Sequence, residues 1–266
     1  MCGALLAALV AAGGCAQRKD VLLSRLREIP DARAHQVVGD ALWVHGSFFA
    51  WATHENLRME VTWTEHRPDG DVASDEIWLL DLAGGRFRVE RPAEKQVTVY
   101  DGSTWRVFVD GKPSDDLVLR GRAAGYALLV REIVPLPFSL LDPGVKIEYV
   151  GTRTGPAEAR TWNRLLVTYP PSSGLDRSDR TVVEVEKESR RVSRVLGCWA
   201  EPPFMGSCWR VDADEAWETQ GIALGHRWRF TPVNDAGAPT GPMRWTLAVK
   251  SMIFDVWLGA DVFSRP

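Results

Sequence analysis

Three histidines, His45, His54 and His66, lie close together along the chain. Histidine nitrogens bind zinc well, and three of them on aligned neighbouring strands would make a metal site. Scattered over strand ends and loops, the same three would hold nothing. The acidic run Asp212-Ala213-Asp214-Glu215 offers either a cation site or a solvated turn. Ser47, Ser103 and Ser207 each follow a glycine, but none has a histidine and a carboxylate at a spacing that makes a nucleophile. His54-Glu55 opens like a zinc-protease motif, yet Arg58 stands where the second histidine is required. The chain has no G-x-S-x-G, no G-x-G-x-x-G and no phosphate-binding loop. The expectation is a protein that is not an enzyme, with no catalytic residue, no metal and no cofactor.

The cysteines carry a different chemistry. Cys198 and Cys208 sit in CWAEPPFMGSCW. In an oxidising compartment such a pair reads as a disulfide; the alternative is two free thiols in a β-rich loop. A zinc site needs two more ligands, and nothing nearby supplies them at finger-like spacing. Cys15 ends the apolar stretch Leu9-Val10-Ala11-Ala12-Gly13-Gly14. The apolar run from Ala4 is too short to span a membrane, which takes about 20 residues. It fits the apolar core of a secretory signal followed by small residues. The stretch resembles a bacterial lipobox, in which the cysteine is acylated and becomes the new N-terminus. That implies a signal peptide over residues 1–14, lipid attachment at Cys15 and a cell-envelope location, with Ala16 pointing to the outer membrane facing the periplasm. An ordinary secretion signal and an apolar helix with an incidental cysteine are the alternatives. One acyl chain such as palmitate anchors marginally, so stable attachment takes more than one.

Net charge is −3, with 45% apolar and 25% charged residues. That balance gives no electrostatic footprint for nucleic acid or for an anionic membrane surface. Twelve tryptophans are present. Each buries much apolar area but needs a partner for its N–H, so many of them suggest broad half-buried sheet surfaces or an apolar cavity.

The elements that position these residues are mostly strands. Val21, Leu22, Leu26 and Ile29 recur at helical spacing before Pro30, so a short helix is expected there. In LRMEVTWTE, Leu57, Met59, Val61 and Trp63 share one face and alternate with polar residues, as in a half-buried strand. Further strands follow in EIWLLDL, RFRVE, QVTVY and TWRVFVD. Asp69-Gly70, Gly84-Gly85, Asp101-Gly102 and Asp110-Gly111 mark the turns. ALLVREIV, residues 126–134 with its flanks, is apolar enough for a buried helix, and Pro135 and Pro137 end it. Strands resume in VKIEYV, RLLVTY, RTVVEVEK, RRVSRVL, HRWRF and RWTLAVK, where Trp245, Leu247 and Val249 face one way. The 234–242 stretch is a Gly/Pro turn within the sheet. The expectation is a mainly β fold with about two helices. A sheet of so many strands curls or splits.

The order of lipobox, short helix and long antiparallel meander resembles the LolA/LolB-like lipoprotein-carrier superfamily. DEIWLLDLAGGRFRVERPAEKQVTVYDGSTWRVFVDG, PLPFSLLDPGVKIEYVG and TVVEVEKESRRVSRVL carry the resemblance, which covers about residues 20–200. It implies one antiparallel curled sheet, an incomplete β-barrel, covering helices and an apolar cavity. The domains would be a lipidated N-terminus with its short helix over 15–30, then a single half-barrel over 31–266 with a C-terminal extension from about 200. The implied role is a carrier or acceptor that binds lipid or the acyl chains of lipoproteins, attached to the membrane by its own lipid. Leu57, Met59, Val61, Trp63, Trp78, Phe87 and Trp105 are the candidate cavity residues. The alternative is a structural or interaction lipoprotein of the envelope with a fully packed sheet and a protein partner.

Overall fold

A computed structural model describes residues 18–155, 160–170, 180–199, 204–259 and 261–265. The proposed signal peptide and Cys15 lie outside the described residues. Helix α1 covers 18–27. Its Leu22 and Leu26, with Ile29 just beyond it, pack on the core. Two helices follow that the expectation of about two does not include: α2 (Ala32–Val44) and α3 (Ser47–Thr53). Asp31 caps α2, accepting from the backbone N–H of Arg33 at 2.8 Å and Ala34 at 2.9 Å. Its buried stripe, Ala34, Val37, Val38, Ala41 and Leu42, follows the helical period. Between α2 and α3, Gly46 has φ +106°, and a Cβ there would lie 1.9 Å from the Gly221 carbonyl oxygen. Only glycine lets the chain come so close to the 220–221 turn.

Thirteen antiparallel strands form one sheet: β1 (Asn56–Glu65), β2 (Val72–Asp81), β3 (Phe87–Arg91), β4 (Gln96–Tyr100), β5 (Trp105–Val109), β6 (Lys112–Pro113), β7 (Lys146–Thr154), β8 (Thr161–Thr168), β9 (Arg180–Glu186), β10 (Val192–Cys198), β11 (Cys208–Thr219), β12 (Ile222–Val233) and β13 (Trp245–Phe254). The order is β6-β5-β4-β3-β2-β1-β13-β12-β11-β10-β9-β8-β7. Among the described residues the edge strands β6 and β7 do not pair, so the curled sheet is an incomplete barrel. Residues beyond 200, expected as an extension, supply β11–β13 between β10 and β1, in the middle of the sheet.

The acidic run 212–215 is neither a turn nor a cation site but part of β11. Trp209 and Val211 are buried, while Asp212 and Asp214 are paired with arginines: Arg194 Nε lies 2.6 Å from Asp212, and Arg229 Nη2 lies 2.6 Å from Asp214. Cross-strand ion pairs make the acidic strand tolerable.

The chain from β6 to β7 must travel from one sheet edge to the other. It does so as α4 (Leu117–Leu128), a π turn (Leu129–Ile133) and a 3₁₀ turn (Phe138–Leu141). Asp116 caps α4. From Tyr126 to Leu141 the apolar side chains are almost all buried, in one core with α2, Trp51 and the inner faces of the strands. The cup of the sheet is therefore filled by its own crossover. On the opposite face, Phe263 of the C-terminal segment packs with Leu79, Val99 and Phe108 in a small second core.

Candidate functional site

The seven candidate residues lie on strands β1, β2, β3 and β5, and the register places them in rows across the sheet. One row runs Phe254, Leu57, Leu80, Phe87, Tyr100, Trp105. The next runs Met252, Met59, Trp78, Val89. Val61 faces Val249 and Glu76, while Trp63 faces Leu247 and Ser74. Leu57, Met59, Val61, Trp78 and Phe87 are buried in the core; Trp63 and Trp105 are half-buried against it.

The helices cover most of this face. Trp51 of α3 stacks on Phe138 at 4.4 Å and meets Phe254 edge-on at 6.0 Å. Tyr126 of α4 meets Trp78 edge-on at 5.8 Å. Its hydroxyl donates to Glu76 Oε1 at 2.7 Å, and Trp78 Nε1 donates to Glu76 Oε2 at 2.8 Å. Arg91 Nε lies 3.2 Å from Glu76 Oε1 and also pairs with Glu94. Burial raises the Glu76 carboxyl above its ordinary value, and the Tyr126 and Trp78 hydrogen bonds oppose that rise. A buried charge of this kind persists only when paired and hydrogen-bonded. Glu76 thus ties α4 to the sheet.

At the Trp63 end the packing opens into a cleft of about 290 Å³. Trp63, Trp245, Phe204, Tyr126 and Leu129 form its apolar wall, and Glu65, Arg67, Glu76, Arg91, Glu94 and Arg122 are its charged lining. Trp245 lies 6.2 Å from Trp63 and 5.7 Å from Phe204. Trp209 adds to the cluster 4.7 Å from Trp245, and its Nε1 donates to the Phe204 carbonyl at 2.9 Å. Cys198 and Cys208 are bonded as a disulfide, joining facing residues of β10 and β11. The segment it closes carries Phe204, so the bridge positions part of the cleft wall. A second cleft, of about 340 Å³, opens between the β2–β3 turn and Trp51, Val130, Phe138 and Tyr169. Burial pushes the Tyr169 hydroxyl well up.

The structure brings Trp63 into the first cleft and sets the other six candidates beneath or beside the helices. Phe204, Tyr126, Leu129 and Arg122 carry no sequence signal of this role. Trp245 does, through its alternation with Leu247 and Val249. The histidines part company. His45 Nδ1 donates to the Ala223 carbonyl at 2.6 Å and Nε2 accepts from the Val192 amide at 3.3 Å. His54 pairs with Asp255 at 2.7 Å, and His66 with Asp71 at 3.0 Å. Among the described residues, the one gathering of potential metal ligands is Cys198, Cys208 and Asp235, and its thiols are joined in the disulfide.

No family model and no curated protein matches the sequence. Solved structures do. A LolA superfamily protein from Nitrosomonas europaea superposes with a TM-score of 0.57 at 12% identity, covering 87% of this chain and 97% of that one. A DUF1329 family protein from Desulfovibrio piger gives 0.55 at 10% identity, with coverages of 87% and 97%. The chain has a LolA-like fold.

Proposed function

We propose that the protein is a non-catalytic lipid-binding lipoprotein of the bacterial cell envelope, anchored through Cys15, that takes an acyl chain of a lipid or lipoprotein into the cleft at Trp63. The observation that carries this reading is the cleft itself. The candidate face is packed solid over most of its area, yet at one end the aromatic wall of Trp63, Trp245 and Phe204 stays open beside α4. Its volume of about 290 Å³ falls just under the range of ordinary ligand sites, about 300–1,000 Å³. Binding is driven by withdrawing apolar surface from water, about 0.8 kcal/mol per buried CH₂. The LolA-like fold supports the reading at the level of architecture.

The filled cup favours a second reading, an envelope interaction protein whose sheet is a scaffold. Native mass spectrometry of the mature domain, with Cys15→Ser, purified from a bacterial periplasm and then extracted with organic solvent, separates the two. A fatty acid or phospholipid released on denaturation, with uptake of an added fluorescent fatty acid, supports the carrier. A bare mass and no uptake refutes it in favour of the scaffold.

A further inference from the structure

Two tryptophans escape the core. Among the described residues Trp257 is 91% exposed and Trp43 74% exposed, and Phe49 is 46% exposed. Their segments converge on one rim. Trp257 borders a cleft with Thr53, Glu55, Asn56, Asp81 and Arg86. Asp255, two residues before it, holds His54 Nδ1 and the Glu55 amide, each at 2.7 Å. Phe49 lies on α3, whose C-cap is His54. Trp43 lies in the last turn of α2, next to the Gly46–Gly221 approach. Gln220, at the same turn, accepts from the Phe254 amide at 2.8 Å.

The N-terminal helix starts from this rim as well. The Arg18 guanidinium donates to the carbonyls of His54 and of Leu82, the latter at 2.9 Å. Cys15 is three residues before Arg18. Three residues of chain reach at most about 11 Å. A lipid on Cys15 would thus be tethered within about 11 Å of Arg18, whose side chain reaches this rim.

We infer that the rim bearing Trp43, Phe49 and Trp257 is the face that rests on the membrane, its two indoles seated among the lipid headgroups. Indole is apolar with one N–H donor and is the side chain best matched to that boundary. Arg86 is paired with Asp81 at 2.6 Å, and Asp255 is held by the His54 ring and the Glu55 amide; Glu55 is the exposed carboxylate beside Trp257. Contact is thus made by the aromatic side chains and does not require anionic lipid. The inference rests on lipid attachment at Cys15.

The test couples the chain beginning at Cys15 to vesicles. With the Cys198–Cys208 disulfide intact, the Cys15 thiol reacts with a maleimide lipid in phosphatidylcholine vesicles, with or without brominated acyl chains. Bromine quenches only indoles at the bilayer. The expected result is loss of part of the tryptophan emission on brominated vesicles, and disappearance of that part in the Trp43→Ser/Trp257→Ser variant. Both positions are exposed, so the variant should keep the wild-type unfolding midpoint. Equal quenching in variant and wild type, or none in either, overturns the inference. The mass of the chain extracted from bacterial membranes reports separately whether Cys15 is acylated, so failure of the anchor and failure of the rim are told apart.

Discussion

Tyr126→Phe removes one hydroxyl and no packing volume, and it separates α4 from its polar tie to the sheet. In the native protein that hydroxyl donates to Glu76 Oε1 at 2.7 Å, with both residues buried. A hydrogen bond to a charged partner contributes about 1.5–3 kcal/mol. Trp78 and Arg91 remain on Glu76, so the carboxylate is weakened, not orphaned. With a urea m-value near the top of about 1–3 kcal/mol per M, the unfolding midpoint should fall by about 0.5–1 M at pH 8. The loss should depend on pH. Burial holds Glu76 above its ordinary 4.5, so the fold binds this proton more tightly than the unfolded chain does. The stability from that preference is full below the unfolded value and is lost as pH rises through the raised one. The Tyr126 hydroxyl opposes the shift because it stabilises the ionised form. Phenylalanine therefore raises the carboxyl further, and the deficit of the variant grows with pH. At pH 4, where Glu76 is largely protonated, a neutral bond of about 0.5–1.5 kcal/mol is lost. The assay is equilibrium urea unfolding of wild type and variant at both pH values. A midpoint shift under about 0.2 M at pH 8, or a larger shift at pH 4 than at pH 8, refutes the reasoning.

Replacing Cys198 and Cys208 by serine opens a loop with a sequence separation of 10; the chain-entropy relation puts the loss at about 2.8 kcal/mol. Urea titration reads that loss, and fatty-acid uptake should fall with it because Phe204 is released. His45 is pushed down to about 4 by burial. Its folded value lies below the unfolded 6.5, so the stability it contributes is full above 6.5 and is lost as pH falls through about 4, up to about 3 kcal/mol. Urea midpoints across that window should fall less steeply in His45→Gln than in wild type; equal slopes would contradict this. Trp63→Ser should weaken uptake of a fluorescent fatty acid about tenfold, or 1.4 kcal/mol, measured well below its unfolding midpoint, which should also fall because Trp63 packs on Phe230 and Trp245. Unchanged uptake would move the site away from the Trp63 cleft.

The meander was legible because its information is local. The strands from β1 to β5 alternate over a few residues, and β1, β2, β4 and β5 each end at a Gly turn while β3 ends at the 3₁₀ turn Pro92–Glu94, so period and punctuation agree. Helix α2 was equally present in the residues, with Ala34, Val37, Val38, Ala41 and Leu42 at helical spacing behind Asp31. A search for period two passes over it. Strand β11 hid for another reason. Trp209, Val211 and Ala213 keep the alternation, but Asp212 and Asp214 look like a solvated turn until Arg194 and Arg229 lie beside them. Those partners are on other strands, beyond the reach of any local pattern.

By itself the sequence determined the meander strands β1–β5, their turns, the buried segment near 126–134 and the apolar face of β1, because side-chain periodicity and turn chemistry act over a few residues. Tertiary structure decided the rest. It inserted β11–β13 between β10 and β1, since strand order depends on long-range pairing. It laid the 117–141 crossover into the cup, because the two edges of the sheet had to be joined across its concave side. Most of the apolar face thereby became core, and the cleft at Trp63 drew its apolar wall from α4, β13 and the disulfide-closed segment.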